Sequence, residues 1–364
     1  MLAGPFCTML LGDLGARVVK VEHPAGGDVT RGWGPPYDET TGLSAYYLSV
    51  NRNKESIALD LTTSAGVESV RRVARHGDVL VENFPPGGLE KFGLRLNDLR
   101  RENPRLVTAS ITGFGPEGPE ASSPVFDLLA QAGAGLMAVT GAPEGEATKV
   151  GVAVSDLLAG CYAAIGILAA LTARARTGRG GHVETDLFTA TLASLVNVAQ
   201  SALLTGREAV RQGNAHPQIV PYRTFAASDG FFALAVGTDR QFDRLAALVG
   251  RPEWAASGLY RTNAARVVNR EALERDLAAI FCLEVRETWL DRCRGARIPA
   301  GPVRGPLEAL FSTTAQALGA VVESGGLSFV ASPIRLEGQP RRLVFPPALD
   351  ADGERLRREF DLPE

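Results

Sequence analysis

VGVAVSDLLAGCYAAIGILAALTARARTGRG, residues 150–180, is the stretch on which the reading of this chain turns. Asp156 is the only charged residue between Val150 and Ala173, and the next charge is Arg174. The run is long enough to cross a bilayer, for which about 20 apolar residues suffice. Its strand-like Val alternation, the acid near one end and the α/β pattern around it predict instead a helix buried on all sides in a soluble domain. Ser and Asp are favoured at helix N-caps, where a side-chain oxygen accepts a backbone N–H. Asp156 is therefore either a cap or a working carboxylate at a positive helix end, which would keep it ionised.

Working outward, residues 4–14 form a short helix that stops at Gly15, and RVVKVEHP (17–24) is a strand ended by Pro24. SIALDL (56–61) is a second strand, and SAGVESVRRVARH (64–76) is a helix with Val67, Val70 and Val73 at helical spacing. DVLVENF (78–84), RLVTASITGF (105–114) and HVETDLF (182–188) are further strands, and residues 189–206 form a helix ended by Gly206. Strands that alternate with helices predict an α/β fold with a parallel, doubly wound sheet. In such sheets ligands sit beyond the carboxyl ends of the strands. That singles out EHPAGGD, LDLT and ENFPPGG, which are either ordinary connections or a nucleotide cradle of backbone N–H groups. Neither GxGxxG nor GxxxxGK[ST] is present.

RQGNAHPQIVPY (211–222) breaks the alternation and marks a crossing into a second domain. The division read from the sequence is a large domain over 1–210, a small α+β domain over 211–310, and a segment over 311–364 that returns to the first. His216 in the crossing is either a general base or a hydrogen-bonded turn residue, and Tyr222 is equally open. Arg31 and Arg52 are either anion contacts or solvated surface charges.

The chain has 364 residues, 45% of them apolar, and a net charge of -3. A sizeable core is available, and no basic stripe points to nucleic acid. The four cysteines show no paired spacing and read as free thiols in a reducing, cytoplasmic setting. The four scattered histidines argue against a metal site. Met1 leads into LAGPFCTMLLGDLGA without the basic start of a signal peptide.

LAGPFCTMLLGDLGARVVKVEHP (2–24), YYLSVNRNKESIALDL (46–61), VENFPPGGLEKFGL (81–94), SDLLAGCYAAIGILAAL (155–171) and RTGRGGHVETDL (176–187) together resemble the family III CoA-transferases. GDVTRGWGPPY (27–37) and GNAHPQIVPYRTF (213–225) look most like the members that act on dicarboxylic acids. The resemblance implies a Rossmann-like large domain with a parallel sheet plus a smaller α+β domain, in two chains interlocked as a homodimer. It implies CoA transfer from a donor such as succinyl-CoA to an acid such as glutarate, through aspartyl anhydride and aspartyl-CoA thioester intermediates on Asp156.

By the same resemblance, His23, Leu59, Asp60, Leu61, Asn83, Phe84, Pro85, Lys91, Val125 and Phe126 contact CoA, which is a substrate and not a tightly bound cofactor. Arg31, His216, Tyr222 and Arg223 are the candidates for the acid, Arg31 and Arg223 for its far carboxylate. Lys91 stands where the family often has Arg, which keeps the charge without the planar fork. Phe126 stands where transferases often have Tyr and where the related α-methylacyl-CoA racemases have a proton-exchanging His, so a racemase is the disfavoured rival. A non-catalytic CoA-binding protein is the other. The family's first strand has no counterpart before Leu2, and its usual Gly-x-His-Thr is DADG (350–353), which leaves the role of that tail open.

Overall fold

The computed structural model describes residues 1–341 and 343–363. The chain divides into two compact units: residues 1–137, 149–208 and 313–364 form the first, residues 138–148 and 209–312 the second.

The first unit carries two parallel sheets. β1 (Val18–Glu22) pairs with β2 (Lys54–Ala58), register Glu22 to Ala58. β3 (Val79–Glu82), β4 (Val107–Thr112) and β5 (His182–Asp186) form the other, in that order. All six residues of β4 are buried, as expected of a middle strand covered on both faces. Helices make the crossovers, and local chemistry sets their ends. Thr63 caps Ser64–His76 by accepting the Gly66 N–H, and Ser44 caps Ala45–Val50 by accepting the Tyr47 N–H. The central helix, Val154–Thr177, ends at Gly178 with φ +73°, a left-handed stop.

That helix is long and apolar enough to cross a membrane, yet it packs on the first helix (Ala3–Asp13), on β4 and on β5. It is not buried on all sides as its composition predicted. Its inward face is small: Ser155, Ala159, Gly160, Ala163 and Ala164, then Ile167. A Cβ on Gly160 would lie 2.7 Å from the Ala3 carbonyl oxygen, so two backbones approach as closely as only glycine allows. Several large apolar side chains point outward, and Tyr162, Ile165 and Leu168 are exposed, Ile165 at 62%. The helix expected over 189–206 is two helices, Leu187–Ser194 and Val196–Thr205, bent by 80°. Val196 sits at φ +38° at the bend, outside the helical region, and breaks the ladder there.

The DADG tail has a structural task. It takes up the outer edge of β2, which no strand covers among the described residues. The Ser56 N–H donates to Asp352 Oδ2 (2.9 Å), the Ala58 N–H donates to Asp350 Oδ1 (2.7 Å), and Arg357 donates to the Ala58 carbonyl (2.9 Å). Two carboxylates thus replace strand acceptors. Asp350 holds φ +57°, a conformation Asp tolerates better than most residues. Asp350→Ala orphans the Ala58 N–H and puts alanine in left-handed backbone, so a loss of about 2 kcal/mol in urea unfolding is expected. Asp350→Asn, which keeps an acceptor, loses less.

In the second unit β6 (Tyr222–Ala227), β7 (Gly230–Ala235) and β8 (Ala300–Pro302) form an antiparallel sheet. Phe225, Phe232, Phe281 and Trp289 build its core in edge-on contacts. Arg266 is fully buried there, donating to the Val220 and Tyr260 carbonyls and to Asp239 while its guanidinium lies 4.4 Å from the centre of the Phe242 ring.

Candidate functional site

Asp156 is not the cap of its own helix. The N-cap is Ala153, which offers no side-chain bond, and Asp156 is three residues further in. A remote residue does the capping: the Ser155 N–H donates to Asp127 Oδ1 at 2.8 Å. Asp127 opens the short helix Asp127–Gly133. Gln131, one turn on, donates to Asp127 Oδ2 (2.6 Å) and accepts the Val150 N–H (2.8 Å). The Ser155 and Thr191 hydroxyls bond at 2.7 Å.

Released from capping, Asp156 reaches across to the first helix, where the Ala3 N–H donates to Oδ1 at 3.3 Å. No protein donor claims Oδ2 among the described residues. Burial, then the negative charge of Asp127, push the Asp156 carboxyl up to about 6, against the smaller pull of the chain's amine and of the Ala3 N–H. Burial is the larger cause of this rise, and Asp127 on the Ser155 N–H is the second. Near neutral pH Asp156 is still mostly ionised, and it is more basic than an ordinary aspartate. Tyr46 faces the same space. Burial, then Asp156, Asp127 and Asp28, push its phenol up to about 12, and it lies edge-on to Trp33 at 5.1 Å.

The loops singled out in the sequence leave the carboxyl ends of β1, β2 and β3. His23 follows β1, Leu59 to Leu61 follow β2, and Asn83 to Pro85 follow β3. His23 Nε2 lies 3.9 Å from Asp60 Oδ1, which joins the first two loops. The Asn83 amide donates to the Ile111 carbonyl at 2.5 Å, and its Cβ would meet a Cβ on Gly4 at 3.2 Å. Asn83 and Asp156 therefore flank the same end of the first helix. Phe84 is exposed beside Phe92, with ring centres 6.1 Å apart, and Lys91 is exposed on the short turn Glu90–Phe92. Val125 fills the space above Gly113, where any side chain would collide with it. Phe126, 56% exposed, precedes Asp127 directly. Asn83 and Asp156 thus meet at one end of the first helix, and His23 and Asp60 stand at the neighbouring strand ends.

Two arginines have other work. Arg31 makes a two-pronged pair with Glu22 (2.9 and 2.8 Å), donates to the Tyr47 hydroxyl (2.6 Å) and lies 4.0 Å from the centre of that ring. Burial alone would raise the Glu22 carboxyl, but hydrogen bonds from Arg31, Ser56 and the Asp28 N–H outweigh it and hold it low. Arg52 makes the same kind of buried pair with Asp13 (2.8 and 2.6 Å). Neither is a free anion contact, because each guanidinium edge is already matched to a carboxylate.

In the second unit Arg223 donates to Glu274 at 2.5 Å, so it too is engaged. His216 stacks on Tyr222 with centroids 5.2 Å apart. Its Nδ1 accepts the Gln218 N–H, and burial, then Arg270, lower its pKa. Sequence reasoning missed Asp127, Gln131 and Tyr46. A Ser44 cap signal precedes Tyr46, but nothing local marks the other two.

Strand ends that gather small loops around a half-buried carboxylate are the arrangement of an α/β enzyme that handles a nucleotide-bearing substrate. Residues 1–353 match the family model for CoA-transferase family III. The chain is 43% identical over 312 residues to succinyl-CoA:glutarate CoA-transferase of Mus musculus, covering 86% of this chain and 71% of that one. It is 38% identical over 367 residues to acetyl-CoA:oxalate CoA-transferase of Acetobacter aceti, covering 100% and 94%. Among solved structures, a CAIB/BAIF family protein from Brucella suis superposes with a TM-score of 0.89 at 40% identity, covering 99% of this chain and 96% of the other. This chain belongs to CoA-transferase family III and is a CoA-transferase.

Proposed function

We propose that the enzyme moves CoA from an acyl-CoA donor to a small dicarboxylic acid, with Asp156 as the carrier. The observation that carries this reading is the state of the Asp156 carboxylate. One oxygen rests on the Ala3 N–H, the other has no protein partner among the described residues, and the group is more basic than a solvent-exposed aspartate. The relatives named for glutarate and oxalate support a dicarboxylate acceptor, and the former supports a succinyl donor.

Oδ2 attacks the thioester carbonyl, the C–S bond breaks, and CoA leaves as the thiolate, giving a mixed anhydride. The thiolate attacks the aspartyl carbonyl, and the donor acid leaves as its carboxylate. The acceptor carboxylate attacks the aspartyl thioester, releasing the thiolate again and forming a second anhydride. The thiolate attacks the acceptor's carbonyl, and Asp156 returns as a carboxylate. No electrons are gained or lost overall. The Ala3 N–H stays on the aspartyl carbonyl oxygen throughout, where charge develops each time that carbonyl is attacked. Water must be excluded, since each intermediate hydrolyses readily.

In this reading His23, Leu59 to Leu61, Asn83 to Pro85, Val125 and Phe126 line the CoA path, and exposed Lys91 faces a phosphate. Arg31 is matched to Glu22, so the far carboxylate of the acid is not assigned to it in this reading. The outward row Tyr162, Ile165 and Leu168, with Leu203 and Leu204 both 79% exposed, supports association with a second copy in an interlocked homodimer, and the working compartment in this reading is the cytoplasm.

Trapping tests the proposal. Enzyme mixed with succinyl-CoA and quenched with hydroxylamine yields a hydroxamate on the Asp156 peptide, seen by mass spectrometry. An unmodified peptide in an active preparation would count against it. Exchange of the α-proton of a branched acyl-CoA in heavy water, without an acceptor acid, would favour the racemase instead.

A further inference from the structure

Asp127 and Gln131 are built into the site with more care than the transfer chemistry uses. Gln131 is fully buried, yet both ends of its amide are satisfied. Its oxygen must face the Val150 N–H, so its nitrogen faces Asp127, and the network fixes the amide's orientation. Both oxygens of Asp127 accept hydrogen bonds, one from Gln131 and one from the Ser155 N–H next to Asp156. A helix N-terminus favours one anion. Here two carboxylates meet at one terminus, and Asp127 holds the backbone donor.

We infer that Asp127, oriented by Gln131, is a positioning residue: it fixes the first turn of the central helix and supplies the negative charge against which Asp156 must ionise. This rests on the reading of Asp156 as nucleophile. The consequence is a compromise. Asp156 gains basicity, hence nucleophilic strength toward a thioester, and becomes a better acceptor for the acyl group, but loses activity in acid. The other groups facing Asp156 are the Met1 amine and the Tyr46 phenol, and the amine in turn faces Asp28, Lys20 and Lys54. Of the described side chains facing Asp156, Asp127 is the one that is also bonded to the peptide N–H beside the nucleophile.

A charge relocation tests this. In the double variant Asp127→Asn/Gln131→Glu the bonds among positions 127, 131, 150 and 155 can re-form, and only the long contact of the position-131 amide with the Val152 carbonyl (3.4 Å) is given up. The new amide at position 127 donates its N–H to the new carboxylate at position 131, and its oxygen accepts the Ser155 N–H. The carboxylate at position 131 accepts the Val150 N–H with its other oxygen. Otherwise it is the charge that moves, from the group that holds the Ser155 N–H to the group that holds the Val150 N–H. The rate of hydroxamate formation from succinyl-CoA is followed between pH 4.5 and 8. In the wild type it rises through an apparent pKa near 6. In the double variant that limb moves down by about 1 pH unit. In Asp127→Asn alone the limb also moves down, and the plateau rate falls further because two amide N–H donors then face each other between positions 127 and 131. An unmoved limb in the double variant, with Asp156 still required for transfer, overturns the inference. So does a wild-type limb in the ordinary aspartate range, a measurement that needs no variant. Transfer that persists without Asp156 overturns the nucleophile reading instead, so the two failures are distinct.

Discussion

Asp156→Asn lowers kcat/KM for CoA transfer by on the order of 10⁴-fold or more, while the dissociation constant for CoA changes less than about threefold. The substitution is nearly isosteric. The introduced amide oxygen still accepts the Ala3 N–H, which in the wild type donates to Oδ1 at 3.3 Å, so the first helix keeps its place. What is lost is the unclaimed oxygen: an amide nitrogen cannot attack a thioester and cannot carry an acyl group. The effect falls on the chemical step because the proposed CoA path runs through other residues. Asp156→Ala gives the same loss and guards against slow deamidation of the amide variant back to aspartate. Asp156→Glu keeps the chemistry but moves the carboxylate by about 1 Å, which costs about 10²-fold. Steady-state kinetics with succinyl-CoA and a panel of mono- and dicarboxylic acids, alongside calorimetric CoA binding, checks all three. Transfer within about tenfold of wild type by the Asp156→Asn and Asp156→Ala proteins would remove Asp156 from the chemistry.

What could be read from the sequence follows the range of the forces involved. Strands β1 to β5 and the central helix were legible because alternation, helical spacing and Gly or Pro stops act within a few residues. The loops around His23, Asp60 and Asn83 were legible because they follow directly from where the strands end. Pairings over distance were not. Arg31 and Arg52 read equally as anion contacts or as surface charges until the fold brings Glu22 and Asp13 to them. Nothing within a few residues of Asp127 shows that Ser155, 28 positions on, donates to it. The orientation of the central helix misled for a related reason. Composition shows that it is apolar all round, but only packing shows that a mostly small face turns in and leaves Tyr162, Ile165 and Leu168 outside. The bend at Val196 carries no Gly or Pro, so no local signal announced it.

Gly160→Val destabilises the protein by about 3 kcal/mol, the upper end for overpacking, and cuts the transfer rate well beyond what residual folding explains. A Cβ there lies 2.7 Å from the Ala3 carbonyl oxygen, 3.1 Å from a Phe6 ring carbon and 3.4 Å from the Cys7 nitrogen. The nearest of these is backbone and cannot rotate away, so the first helix must move off the central one. The usual gain from replacing a helix glycine, about 1 kcal/mol for alanine and less for valine, does not offset this. Ala3 is also the residue whose N–H holds Asp156, so the same displacement weakens the one described donor on the nucleophile. Gly166→Ala is the control. Its Cβ would lie 2.5 Å from a Val183 methyl, a side-chain atom that can yield, and Gly166 stands nearly three turns from Asp156. Its cost is about 1 kcal/mol, without a separate loss of rate. Urea unfolding gives the stabilities, and kcat measured well below each variant's melting temperature gives the second effect. A Gly160→Val protein that unfolds with the wild type would show that the two helices do not meet at backbone distance. One that is destabilised but turns over at the wild-type rate would show that the Ala3 N–H plays no part in positioning Asp156.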